Sequence, residues 1–140
     1  MWIELFLCLF LAHQIADFAL QTSKTCRHKL EYKWRSGCHY GHATLVFALS
    51  WLAAWNLDFW WCALIIGGTH LAIDLWKSYC EENVKWFVVD QMLHIAIIPG
   101  IAALWCANAL WSSPIEIAPK YIAFAVAVML CWKPANIFIK

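Results

Sequence analysis

Five histidines and three aspartates recur in this chain at intervals that a metal ion or a proton could use. His13 precedes Asp17 by four residues, His70 precedes Asp74 by four, Asp90 precedes His94 by four, and His39-Tyr40-Gly41-His42 supplies two more imidazoles. Four residues is about one helical turn, so each pair lies on one face of its helix. Imidazole and carboxylate without thiolate suit zinc, manganese or iron, whereas calcium and magnesium take more oxygen. The candidate ligands are His13, Asp17, His39 or His42 (with His42 preferred), His70, Asp74, Asp90 and His94. Zinc is the expected ion, with manganese or iron as alternatives. The set is large enough for one metal with supporting groups, or for two. A divalent ion held there would activate water and polarise a scissile carbonyl or phosphoryl group, with Asp17, Asp74 or Asp90 as base.

The elements that must hold these residues are unusually apolar. Of 140 residues 64% are hydrophobic and only 14% charged, with eleven tryptophans. Soluble domains are about 45–50% apolar and about 25% charged, so a water-facing globule is excluded. The net charge of +1 gives no sign of nucleic-acid binding. The chain reads as one all-α transmembrane domain over 1–140, a polytopic bundle of about five spans. The expected helices are 2–22, 39–55, 59–76, 84–110 and 115–132, with a basic cytoplasmic loop over 23–37. The first run has no basic residue before it and carries Glu4, so it reads as a retained helix rather than a cleavable leader. Asn56-Leu57-Asp58 makes the second and third a hairpin. Pro99-Gly100 predicts a kink in the fourth. Pro119 leaves the fifth about 14 residues, or about 21 Å, and hence short, tilted or partly interfacial.

With five spans, Lys24, Arg27, Lys29, Lys33, Arg35, Lys77, Lys85, Lys133 and Lys140 share one side and only Lys120 the other. The positive-inside rule then places the N-terminus outside and the C-terminus in the cytoplasm, in a cytoplasmic (inner) membrane. Trp55, Trp60, Trp61 and Trp111 fall at outer ends and Trp34, Trp76, Trp86 and Trp132 at inner ends, while Trp51 and Trp105 are assigned to core packing. Odd helices run inward and even helices outward, so the polar groups of four helices converge near the cytoplasmic leaflet. Helices one and three share His-x-x-x-Asp, and two and four each begin with a His cluster. That suggests two hairpins related by a pseudo-two-fold axis along the membrane normal, plus a short fifth helix.

Plainer readings compete residue by residue. Asp90 near a helix N-terminus would be favoured by the dipole alone. Asp17 and Asp74 lie toward helix C-termini, where negative charge is disfavoured, and need cations; Lys77 is the nearby candidate for Asp74. One histidine on an apolar helix is ordinarily a hydrogen bonder, but ionisable groups gathered at membrane depth point to function. Gln14, Gln21 and Gln91 read as partners that fix imidazoles or as interhelical ties. His28 stays outside the set. The seven cysteines form no C-x-x-C pair, so they read as structural. The 23–37 segment, with five of the ten basic residues, reads first as a topology signal, and it would also draw anionic headgroups.

The motifs Ala12-His13-Gln14-Ile15-Ala16-Asp17-Phe18, His39-Tyr40-Gly41-His42, His70-Leu71-Ala72-Ile73-Asp74-Leu75-Trp76-Lys77-Ser78 and Asp90-Gln91-Met92-Leu93-His94 resemble DUF3307, a family of small bacterial and phage membrane proteins. Lys133-Pro134-Ala135-Asn136 is similar to a segment near the family's C-terminal part. The family brings no established substrate or reaction. A more distant similarity to inner-membrane metal-dependent hydrolases implies that class of chemistry by analogy. The first expectation is a metal-dependent hydrolase acting on a membrane lipid or other amphiphile. The alternatives are a transporter or proton/metal conduit using the same cluster, and a non-enzymatic membrane interaction protein.

Overall fold

Trp2–Gln14 is apolar around nearly its whole circumference, and such a helix must be buried in protein or lipid. It forms α1 in the computed structural model, which describes residues 2–108 and 118–139. The chain then widens into a π-helical turn over Ile15–Ala19, with the Leu20 N–H donating to the Ile15 carbonyl five residues back at 3.0 Å. Thr22 stops this segment and starts α2 (Ser23–Tyr32) through a reciprocal cap: its hydroxyl accepts from the Thr25 N–H, and the Thr25 hydroxyl accepts from the Thr22 N–H. The basic segment expected to be a loop is therefore mostly helix. Lys33, at φ 52°, ends α2 and leads through a 3₁₀ turn, Lys33–Arg35, into α3 (Gly37–Ala54).

The 56–58 hairpin forms as expected. Trp55 takes the left-handed conformation that ends α3, and the Asn56 side chain accepts from the Asp58 N–H at 2.9 Å. Trp51 ties the turn down by donating to the carbonyls of Asn56 and Leu57. After the 3₁₀ turn Leu57–Phe59, α4 (Trp60–Lys77) returns against α3. Their close approach is set at Gly67, where a Cβ would stand 3.0 Å from the Phe47 Cβ and 3.2 Å from the Ala43 carbonyl. Small residues permit such contacts between apolar helices.

α5 (Val84–Asn108) runs as one helix with Pro99 inside it, as expected of a single fourth span. α6 (Pro119–Ile139) begins at Pro119 and continues beyond Trp132 through Pro134. Proline is favoured at the first helical position, where its missing N–H has no intrahelical partner to lose. Positions 109–117, which hold the expected end of the fourth span, the start of the fifth and Trp111, lie outside the described residues.

α1 packs against α3 and α5, and α4 packs against the same two, which closes a four-helix ring; α6 lies against α1 and the π turn. Leu5, Leu9, Val46, Cys62, Ile66 and Ala102 fill the half away from the histidines, with Phe59 meeting Trp105 edge to face at 5.2 Å. Trp105 is a core residue as expected, and Trp51 is half-buried. Large apolar side chains such as Leu52, Leu64, Met92 and Phe124 face outward. Among the described residues three helices are long and apolar enough to cross a membrane: Trp2–Ala19, Leu57–Lys77 and Val84–Asn108. α3 falls short of them, and its sequence shows why: His39, His42, Thr44 and Ser50 interrupt its apolar surface.

Candidate metal centre

The end of α1, the start of α3, the end of α4 and the start of α5 meet at one end of the ring. The convergence expected from the sequence is present there. Asp17 is its hub. Its Oδ1 lies 3.0 Å from His42 Nε2 and 3.4 Å from His70 Nε2, and its Oδ2 lies 3.5 Å from His13 Nε2. One carboxylate thus faces imidazoles from three helices. Around a tetrahedral ion with bonds of about 2.0–2.1 Å, adjacent ligand atoms stand about 3.3–3.4 Å apart. The three separations bracket that edge.

Among the described residues, two sets of side chains meet the spacing a metal ion needs, with all ligand atoms within 4.8 Å: His13, Asp17 and His70, and His42, His70 and Asp74. His70 belongs to both. The rings themselves are in contact, at 5.5 Å between the centroids of His13 and His70, 4.8 Å for His42 and His70, and 4.2 Å for His70 and His94. Buried imidazoles crowded together ask for a shared partner, because a buried polar atom without one is costly. Nε2 of His13, His70 and His94 and both ring nitrogens of His39 are buried without a hydrogen bond.

His94 shows how a neighbour sets a ring. Its Nδ1 lies 2.7 Å from the Asp90 carbonyl oxygen, which can only accept, so Nδ1 donates and Nε2 is left without a hydrogen-bond partner. Asp90 itself is buried six residues into α5, too deep for the first-turn dipole reading. Its Oδ2 accepts from Lys77 at 2.8 Å and from the Gln91 amide at 3.1 Å. The cation expected for Asp74 therefore serves Asp90 instead. Asp74 pairs with Lys29 of α2, whose ammonium also donates to Gln21 at 3.0 Å, and His39 Nδ1 lies 3.6 Å from Asp74. Helix geometry explains the exchange. Lys77 projects from the last turn of α4 toward α5, whereas α2 lays a buried Lys29 across the Asp74 face.

Of the sequence candidates, His13, Asp17, His42, His70 and His94 form the centre, with Asp74 joined through His42 and His70 and Asp90 through His94. Gln91 and Gln21 are carboxylate and lysine partners, while the Gln14 amide is buried with no hydrogen bond. His28 stays apart, bonded to Ser36 at 2.7 Å and stacked on Tyr32. Sequence reasoning missed Lys29, which carried no signal beyond its basic segment, and the π turn that presents Asp17. It passed over His39 in favour of His42. Turns of this kind recur at functional sites. A cavity of about 370 Å³ borders the centre on the Asp74 side, between α2, the 78–83 connection and the start of α5, and is lined by Lys29, His39, Asp74, Lys77, Trp86 and Phe87 among others.

Neither the curated proteins nor the solved structures contain a match to this chain. A family model described as a protein of unknown function, DUF3307, matches residues 5–121, and the chain belongs to that family.

Proposed function

We propose that this chain is a multi-pass protein of the cytoplasmic membrane that binds a divalent cation, zinc first among the choices, and hydrolyses a lipid or other amphiphile reaching the centre from the inner leaflet. The single observation that carries the reading is Asp17, a carboxylate within the apolar Trp2–Ala19 segment, faced by His13, His42 and His70 at 3.0–3.5 Å. His13, Asp17 and His70 would hold the ion, three protein ligands being the pattern that keeps a position open for chemistry. When bound, the ion would acidify water and polarise the bond to be cut. His94, oriented through Asp90, has its Nε2 available as proton acceptor, while Lys77 holds Asp90 in place. The cavity gives a ligand of lipid-headgroup size access to this end of the ring, and its Trp86 and Phe87 wall suits an apolar chain.

The apolar half of the ring favours hydrolysis over transport. Leu5, Leu9, Phe59, Cys62 and Trp105 occupy the path that a conduit would need to continue from the histidines. A helix-locking role is less apt because direct ties would leave fewer imidazole nitrogens unpartnered. In this reading the chain is one domain of five spans, N-terminus outside and C-terminus inside, with the two hairpins as a pseudo-repeat.

The decisive experiment is metal analysis of the full chain purified without chelators, beside Asp17→Asn and His70→Ala. The wild type should retain a divalent ion that both variants lose. Equal, near-zero content in all three removes the proposal.

A further inference from the structure

The cavity beside the centre changes chemistry with depth. At its rim stand Glu81 and Glu82, both exposed, and among the described residues neither carboxylate has an ion-pair partner. Lys29 and Lys77 line it too, but their charges are already matched, by Asp74 and, at 2.8 Å, by Asp90. Deepest is His39, 1% exposed, with no hydrogen bond at either ring nitrogen and its Nδ1 3.6 Å from Asp74. A buried polar side chain left unpartnered at the wall of an open space asks for a ligand to complete it. Trp86 and Phe87 form the apolar side.

We propose that this cavity receives a lipid whose headgroup ends in a primary ammonium, with the ammonium at Glu81 and Glu82, the polar linkage at His39 and the chain along Trp86 and Phe87. The inference names the substrate class for the hydrolysis proposed above and rests on that reading for the fate of the lipid. A cation outermost, a hydrogen-bonding linkage beneath it and an apolar chain alongside is the order of groups in an amine-headed lipid standing in a leaflet. Charge selects among headgroups. With both lysines matched, the charge left over in the cavity is negative, which favours a cationic end over a purely anionic head. The rings select among ammonium types. A quaternary ammonium is held by open aromatic faces, but Lys77 Nζ already lies 5.3 Å from the centre of the Phe87 ring and Lys85 Nζ 5.0 Å from that of Trp86. Carboxylates suit a primary ammonium instead, because all three of its N–H groups donate.

The test titrates the delipidated, chelator-treated full chain in non-ionic detergent at low salt with radiolabelled lysophosphatidylethanolamine, lysophosphatidylcholine and lysophosphatidylglycerol of one chain length. The ethanolamine lipid should bind about three- to tenfold more tightly than the other two, the range open to two exposed carboxylates. Glu81→Gln/Glu82→Gln should abolish that preference, and high salt should shrink it. His39→Phe should weaken all three lipids alike, because it removes a contact to the linkage they share. Glycerophosphoethanolamine, the same head without its chain, should bind at least about 100-fold less tightly. Equal affinity for the three lipids, or a preference that survives the double variant, overturns the ammonium assignment. Tail-free head binding as tight as the lysolipid's hands the site to a soluble amine and overturns the lipid. Full affinity in His39→Phe overturns the placement of the linkage. A chain that selects the amine lipid yet retains no metal when purified without chelators removes the hydrolysis reading and supports this site. A metal-bearing chain with no headgroup preference does the reverse.

Discussion

Lys77 and Asp90 form an ion pair at 2.8 Å between the last turn of α4 and the interior of α5, although Asp74 lies only three residues from that lysine. The pair crosses the α4–α5 corner and holds Asp90 where its backbone carbonyl orients His94. Lys77→Met should leave Asp90 buried and unpaired. Removing one partner of a buried pair costs about 3–5 kcal/mol, and the partial exposure of Lys77 puts the expectation at the lower end of that range. The double variant Lys77→Met/Asp90→Asn should recover most of the loss in thermal unfolding in detergent. Equal destabilisation in the single and double variants would show that the pair is not the cause.

Asp17→Asn keeps the shape of the side chain and removes its charge. If His13 and His70 share an ion with this carboxylate, the ion affinity should fall by at least about 100-fold, beyond the losses typical of supporting hydrogen-bond partners. Helical content by circular dichroism should remain near that of the wild type. Unaltered ion affinity would separate Asp17 from metal binding.

Gly67 sets the approach of α3 to α4 one turn before His70. Gly67→Val places its Cβ 3.0 Å from the Phe47 Cβ and 3.2 Å from the Ala43 carbonyl, and overpacking of this kind costs about 1–3 kcal/mol. The variant should also bind metal less well, because the His42 and His70 rings, 4.8 Å apart, are carried by the helices being separated. Gly68→Val, whose Cβ meets nothing within 4 Å, is the matched control and should bind as wild type does.

Orientation is testable in cells. An epitope inserted at the 56–58 hairpin should be reachable from outside the cytoplasmic membrane, and one inserted beside Lys24 only after the membrane is opened. The reverse pattern would move the centre to the outer leaflet and end the reading of substrate entry from the cytoplasmic side.

Three helical spacings of four residues carried most of the site into view from sequence alone, because ionisable groups are scarce in apolar helices and each stands out there. The apolar runs likewise outlined α1, α3, α4 and α5, and the 56–58 turn was legible in Asn56 and Asp58. What the sequence could not specify was the pairing across helices. Lys29 reaches Asp74 over 45 positions, and nothing local distinguishes it from Lys24 or Lys33. The same holds for Lys77, whose nearest carboxylate in sequence is not the one it meets. α2 was hidden by its polarity, since a basic run between two apolar helices reads as a loop until Thr22 and Thr25 are recognised as a reciprocal cap.

The π turn at Ile15–Ala19 bears on how this chain tolerates change. It joins the apolar packing of Leu5 and Leu9 to the carboxylate hub at Asp17 through one residue more than an α-helical turn holds. Deleting Ile15 or Ala16 would bring Asp17 one residue closer to His13 and turn its carboxylate about 100° around the helix, away from the imidazoles it faces. The phase between the greasy half of the barrel and its polar mouth is therefore a matter of counting. A length change in this short stretch would do harm that no conservative exchange of side chains could repair.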